Sequence, residues 1–424
     1  MIERIQAALN KCGISHWRVN ETVEETAELF FVRRELDTRR VKDVHKYEVT
    51  VFRDVEADGQ TKRGFTSVQL IASMDDSQVE EELKSAYYAA QFAANPYYEL
   101  TDPVKAPLVE KTGELAEAPL ARSAGKMARA LFAPDTQEDA FVNSAEVFVH
   151  RSRRRILSSE GTDVSYTDAC VKGEFVVQCR QPEDVEIHNT YFYDELNEQA
   201  LSDKVAEALT FVRDRARAQK ILKSGKYDLV LSGDAVGEVL SYYRSRSAAH
   251  AVYAKYSTWQ KGEDVQGEDT MGERLDITLR AALPYSEEGI PMEDLPLLKS
   301  GVLQAYHGPN RFSRYLGVKP TGFYEKMSCA NGTVSFAEMK KEPCLWAVTF
   351  SDFQMNAMSG HFGGEIRLAY LIDGDTVTPV TGGSVNGSLL EAQKNLVFST
   401  DRYVTASYDG PYAVRIPNIS IAGD

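Results

Sequence analysis

"YDLVLSGDAVGEVLSYYRSRS", residues 227–247, is the stretch around which the chain organises. A short apolar strand runs through Ser232-Gly233-Asp234 into a helix whose apolar stripe is Val236, Val239, Leu240 and Tyr243. Asp234 and Glu238 stand at i and i+4, on one face near the helix start. Paired carboxylates suit a hard cation such as magnesium or calcium. A plainer reading is favoured. The two acids lie opposite the apolar stripe, and the positive end of a helix stabilises a carboxylate by about 0.3–1 kcal/mol.

Toward the C-terminus the chain is β-rich and punctuated by glycine, in "SEEGIP", "SGHFGGE", "IDGDTV" and "VTGGSVNGS". These read as turns or close backbone approaches. His361, in "AMSGHFGGE", either caps a turn or meets a ligand, and the turn is favoured.

Toward the N-terminus the pattern alternates. A helix is predicted from about Ser202 to Gln219 with Val205, Leu209, Val212 and Ala216 inward, broken by "KSGKYD". A hairpin is predicted in "DVSYTDACVKGEFVVQCR", turning near Lys172-Gly173. Residues 97–125 carry three prolines and little periodicity, and read as a linker or long crossover. Before them stands a helix with Ser77 and Glu80 as a capping box, a stripe of Val79, Leu83, Ala86, Tyr87, Ala90 and Ala94, and Asn95-Pro96 at its end. "AELFFVRREL", "HKYEVTVFRD" and "TKRGFTSVQLIAS" read as strands, the last following a "DGQ" turn. "MIERIQAALNKCG" reads as a helix, with Ile2, Ile5, Leu9 and Cys12 on one face. The predicted class is α+β. Residues 1–222 form a helix-covered antiparallel region, and 223–424 a domain on a curved, largely antiparallel sheet.

Composition narrows the function. With 424 residues, 43% hydrophobic and 26% charged, the chain is globular and large enough for more than one core. It has no run of roughly 18 apolar residues and no signal-peptide pattern, so a cytoplasmic location is expected. The net charge of −15 disfavours nucleic acid as a partner. "HRSRRRIL", 150–157, with Arg151, Arg153, Arg154 and Arg155, is the local exception; a charged strand edge is favoured over a docking patch. Five cysteines without C-x-x-C spacing read as reduced thiols, and a Cys170–Cys179 disulfide is disfavoured. No two of the seven histidines lie within five residues of each other, so H-E-x-x-H and H-E-x-x-x-H are absent. There is no G-x-S-x-G elbow and no P-loop lysine.

Several stretches, taken in order, resemble the TldD/PmbA family. "KSGKYDLVLSGDAVGEVL" is similar to the strand that leads into the family's metal-binding helix. "YSEEGIPMEDLPLLKSGVLQAYHGPNRFSRYLG", "MSGHFGGEIRLAYLIDGDTVTPVTGGSVNG" and the closing "IPNISIAGD" resemble its later segments, and residues 1–220 match in outline. The resemblance implies dimers. It also implies a division between a TldD-type subunit, which carries H-E-x-x-x-H and a downstream cysteine, and a PmbA/TldE type that lacks them. Laid on the family's H-E-A-V-G-H, this chain has Gly233 and Glu238 at the histidines, Asp234 at the glutamate, and Ala406 at the cysteine. Glu238 alone would hold zinc too weakly to bring a bound water's pKa to about 7.

The expectation is therefore a non-catalytic subunit with no metal of its own and zinc only in a TldD-type partner. A homodimer is the alternative assembly. Extended peptide is the expected ligand, with Ser359, Gly360, His361, Gly363 and Gly364 as candidate contacts. The rival readings are an active peptidase using Asp234, Glu238 and His361, and a nucleic-acid-associated regulator through Arg153 and Arg154.

Overall fold

The computed structural model describes residues 1–220 and 223–423. The boundary placed between 222 and 223 touches Leu222, which with Ile221 and Asp424 lies outside the described residues.

The chain opens with α1 (Ile2–Lys11), followed by β1 (His16–Val32), β2 (Glu35–Ala57) and β3 (Gln60–Ile71). The "DGQ" signal makes the β2–β3 turn: Asp58 (φ 56°) and Gly59 (φ 74°) both take positive φ, the requirement of a two-residue turn matching strand twist. α2 (Asp76–Ala90) buries Val79, Leu83, Ala86 and Ala90. Its capping box is Asp75 with Gln78, not Ser77 with Glu80. The helix begins earlier than the Ser–Glu spacing indicated, because Asp75 accepts from the Gln78 N–H at 2.9 Å while Gln78 reaches back.

After β4 (Asn95–Pro96) the stretch read as a linker is only partly extended: α3 (Glu114–Glu117) and α4 (Leu120–Phe132) begin within it. α4 buries Ala124, Met127, Ala128 and Leu131, an alanine-rich stripe whose periodicity is weak in sequence. β5 (Ala140–Ser158), β6 (Asp163–Cys179), β7 (Val185–Tyr193) and α5 (Glu198–Ala216) follow.

No turn exists at Lys172-Gly173. Both lie mid-strand in β6, opposite Phe148 and Val147 of β5. A Cβ on Gly173 would stand 2.0 Å from the Glu146 carbonyl oxygen and 2.5 Å from the Tyr191 hydroxyl, so the glycine serves close packing under the Tyr191 ring. Cys170 and Cys179 consequently sit nine positions apart on one strand, out of disulfide reach, and are free thiols.

These strands make one antiparallel sheet in the order β4-β3-β2-β1-β5-β6-β7. Helices α1 and α2 cover one end of a single face, over Val19, Val49 and Val51. Helices α4 and α5 cover the other end of that face, over Val147, Val171 and Phe175. The opposite face, with Glu28, Glu146 and Phe148, is left to the second half of the chain.

That half begins with β8 (Gly225–Ser232) and α6 (Asp234–Arg246), then α7 (Ala249–Tyr253). A six-stranded sheet contains β9 (Ile277–Arg280), β10 (Leu295–Lys299), β11 (Val302–Leu303) and β12 (Lys326–Cys329), joined later by two further strands. Next come β13 (Cys344–Met355), β14 (His361–Asp373), β15 (Thr376–Val380), β16 (Ser384–Ser388), β17 (Val397–Phe398), β18 (Arg402–Val404), β19 (Tyr408–Pro411) and β20 (Ala413–Ala422). β18 and β19 complete the six-stranded sheet. In the other sheet the order is β13-β8-β20-β16-β14-β15, and an added β13–β14 ladder curls it toward a barrel. The α+β class and the curved, largely antiparallel C-terminal sheet are as read from the sequence; among the described strands β8–β13 and β12–β19 are the parallel pairs. No helix among the described residues is long and apolar enough to cross a membrane.

Candidate functional site

Strand β8 is buried through Leu229, Val230 and Leu231 and delivers the chain to α6 by one glycine. Gly233 takes φ 63° and ψ −133°, a conformation close to glycine-only, and its N–H donates to the Tyr412 carbonyl at 2.8 Å. Helix α6 seats Val236, Val239, Leu240, Tyr242 and Tyr243 in the C-terminal core. That seating turns Asp234 and Glu238 away from the core, as the helical spacing requires.

Both carboxylates are engaged by the protein. Asp234 Oδ2 accepts from Lys204 Nζ of α5 at 3.0 Å, and Oδ1 accepts from the Tyr403 hydroxyl at 2.9 Å. Burial, then the Asp234 charge, pushes the Tyr403 phenol well above its ordinary value and keeps it a donor. Glu238 Oε1 accepts the Met355 N–H at 3.0 Å, tying α6 to the end of β13. Ala406 is buried, and its N–H donates to the Phe192 carbonyl at 3.0 Å. Among the described residues no group of three or more His, Cys, Asp or Glu side chains converges in a metal-holding arrangement.

Two clefts meet at the start of α6, and Asp234 and Glu238 line both. The first, about 830 Å³, lies between Glu146, Phe148, Lys172 and Glu174 of the N-terminal sheet and Ser241, Arg244 and Tyr408. Glu146 and Glu174 stand directly opposite in the β5–β6 ladder. Burial, then the Glu174 charge, raises the Glu146 carboxyl pKa. The second cleft, about 1330 Å³, runs between residues 186–190 of β7 and 348–351 of β13. β7 is an edge strand with β6 as its one strand partner among the described residues; on its other side the Phe192 carbonyl accepts the Ala406 N–H and the Glu186 carbonyl accepts Arg215 Nη1, and no strand pairs with the positions between them.

The glycine-rich candidates lie elsewhere. None of Ser359, Gly360, His361, Gly363 and Gly364 lines either cleft. His361 is exposed at the start of β14, and its N–H donates to Ser359 Oγ at 3.3 Å, a turn contact. A Cβ on Gly363 would stand 2.4 Å from the Val385 carbonyl oxygen, and one on Gly364 2.2 Å from that of Asp352, so sheet packing accounts for both. His361 is therefore not brought together with Asp234 and Glu238. The arginine run is largely used internally. Arg151 donates to the Ala118 carbonyl at 2.6 Å, and Arg155 grips Asp163 through two contacts of 2.9 Å.

Lys204 and Tyr403, the partners of Asp234, come from segments 30 residues before and 169 residues after it, and no local motif marks them. The same holds for Glu146 and Glu174, whose pairing depends on strand register.

Residues 224–423 match the family described as PmbA/TldA metallopeptidase C-terminal domain. The metalloprotease TldD homolog of Haemophilus influenzae is 27% identical over 139 residues, which is 29% of this chain and 29% of that protein's length. Three solved structures share the fold over nearly their whole length. TldE of Thermococcus kodakarensis has a TM-score of 0.79 at 16% identity, with 99% of this chain and 100% of that one covered. A Thermotoga maritima protein described as a proposed modulator of a DNA gyrase has 0.76 at 17%, covering 99% of each. A like-named protein of Bacteroides thetaiotaomicron has 0.78 at 18%, covering 100% and 99%.

The curved sheet and the strand-to-helix junction beside the clefts are those of an α+β protein with the TldE-type fold, and its C-terminal half matches a metallopeptidase-related domain. Residues 224–423 belong to the PmbA/TldA metallopeptidase C-terminal domain family, and the comparisons together support the TldD/PmbA family for the chain.

Proposed function

We propose that the chain is a PmbA/TldE-like, non-catalytic subunit of a cytoplasmic TldD-type metalloprotease complex acting on unfolded peptides. One observation carries this reading. At the four positions that resemble the family's catalytic set, Gly233 and Ala406 offer no side-chain donor, and Asp234 and Glu238 already serve Lys204, Tyr403 and Met355. Two carboxylates so engaged do not fit zinc, which takes three or four ligands and favours nitrogen and sulfur. No hydrolytic step is assigned to this chain; zinc belongs to the partner subunit. The chain's own part is to bind and align. The part of the β7 edge between Glu186 and Phe192, which no described strand covers, runs along the larger cleft and suits an extended peptide added through main-chain hydrogen bonds, with the α6 carboxylates beside it.

The test combines three measurements on the full chain: metal content after purification, casein cleavage with and without chelator, and co-purification with a co-expressed H-E-x-x-x-H homologue. The expected result is no stoichiometric transition metal, no cleavage alone, and a stable complex that cleaves. Near one metal per chain with chelator-sensitive cleavage by the protein alone would overturn the proposal.

A further inference from the structure

The uncovered stretch of the β7 edge ends at an arginine. Glu186 and Phe192 turn their carbonyls away from β6, to Arg215 Nη1 and to the Ala406 N–H. Backbone groups along a strand alternate sides with a period of two, so His188 and Thr190 point their N–H and C=O groups the same way. Among the described residues nothing bonds to those outward groups. An added strand therefore finds a donor and an acceptor at Thr190 and again at His188. At Glu186 the Arg215 guanidinium already holds the carbonyl, and the ladder stops.

Arg215 is half-buried in the last turn of α5, where a helix end favours a cation. That does not account for Arg367 of β14, which lines the same cleft. Burial, then the Arg367 charge, lowers the Arg215 pKa, and Glu183 opposes them more weakly. Arg215 has no ion-pair partner among the described residues, and Arg367 has one, Glu365 at 3.2 Å. A guanidinium carries five donors, so both side chains keep donors to spare. Two like charges gathered at one end of a cleft are stabilised by an anion between them.

We propose that Arg215 and Arg367 form a subsite for the C-terminal carboxylate of a peptide that adds antiparallel to β7 and ends at Glu186. The direction follows from the stop. A strand ending there presents its carboxylate if it runs antiparallel to β7 and its ammonium if it runs parallel. Two guanidiniums attract the first and repel the second, and their planar forks match a carboxylate through paired hydrogen bonds. The ligand class is thus a free chain end in extended form. The inference rests on the peptide-binding reading proposed above and adds to it which end is held and in which direction the peptide lies.

Calorimetry on the full chain tests it, with short N-acetylated peptides of uncharged residues that differ only in a free C-terminal acid or an amide. The acid is expected to bind about tenfold more tightly, the contribution of one hydrogen-bonded charge, and raised salt to narrow the gap. Arg367→Gln is expected to abolish the preference. Glu365→Gln, which frees Arg367 from its ion pair, is expected to widen it. An amidated peptide ending in aspartate is expected to bind no better than the plain amide. Acid and amide bound equally well would overturn the subsite and leave the peptide-binding reading standing, whereas binding of neither overturns both. A preference that survives Arg367→Gln, or that Glu365→Gln leaves unmoved, overturns the assignment to these arginines. An aspartate amide bound as tightly as the free acid would assign the site to an acidic side chain and overturn the chain-end register.

Discussion

Replacing Gly173 with alanine tests whether β6 runs straight through the point where the sequence signals a turn. In a turn, a methyl at this position would face solvent and cost little. In the structure the new Cβ would lie 2.0 Å from the Glu146 carbonyl oxygen and 2.5 Å from the Tyr191 hydroxyl, which itself donates to that carbonyl at 2.9 Å. The tyrosine ring can swing away, but the carbonyl is fixed in the β5–β6 ladder. Overpacking of this kind costs about 1–3 kcal/mol, and losing the buried hydrogen bond adds about 1 kcal/mol. The gain from removing a strand glycine, about 0.5–1 kcal/mol, is smaller, so a net destabilisation of about 1–3 kcal/mol is expected. Urea unfolding followed by circular dichroism measures it. Adding Tyr191→Phe should recover only part of the loss, because the carbonyl contact persists. A Gly173→Ala protein as stable as wild type would refute the strand assignment and the packing argument together.

Three further outcomes follow from the site and its surroundings. Gly233→His is expected to destabilise the chain by about 1–3 kcal/mol, because φ 63° with ψ −133° strains any residue bearing a Cβ even though no atom lies within 4 Å of one. Combined with Asp234→Glu, Glu238→His and Ala406→Cys, it should still fail to bind zinc tightly in a titration; tight binding at unchanged stability would show that the backbone adapts. His307 is 1% exposed, and burial lowers its pKa to about 4 from 6.5, so the folded state resists its protonation while the unfolded chain does not. Stability from this group is full above pH ~6.5 and falls by about 3 kcal/mol as pH drops to about 4; unfolding of His307→Gln across that window should show a flatter slope. Burial pushes the Cys170 and Cys329 thiols up to about 11 and about 12, so both should resist iodoacetamide in the native protein at pH 8 and react once it is unfolded.

What could be read from the sequence was local. The helix of Val205, Leu209 and Val212, the stripe of α6, the Asp58-Gly59 turn and the placing of Asp234 and Glu238 opposite the core all follow from periodicity and backbone sterics within a few residues. The absence of a histidine pair one helical turn apart was equally plain, since it needs only counting. Signals that are ambiguous in one dimension were misread. Lys172-Gly173 has turn composition, yet Gly173 exists because Tyr191 and Glu146 crowd it from neighbouring strands. His361 among glycines reads first as a turn residue, and its N–H does meet Ser359 Oγ at 3.3 Å, while Gly363 and Gly364 make room for the Val385 and Asp352 carbonyls.

The sequence by itself determined the α+β class, the strand-to-helix junction and the residue types at its four key positions, because each depends on neighbours along the chain. Only the tertiary structure decided that Lys204 and Tyr403 occupy Asp234, that Glu238 serves Met355, and that two clefts converge there. Those contacts join residues up to 169 positions apart, and strand register and sheet closure, which no local pattern encodes, bring them within 3 Å.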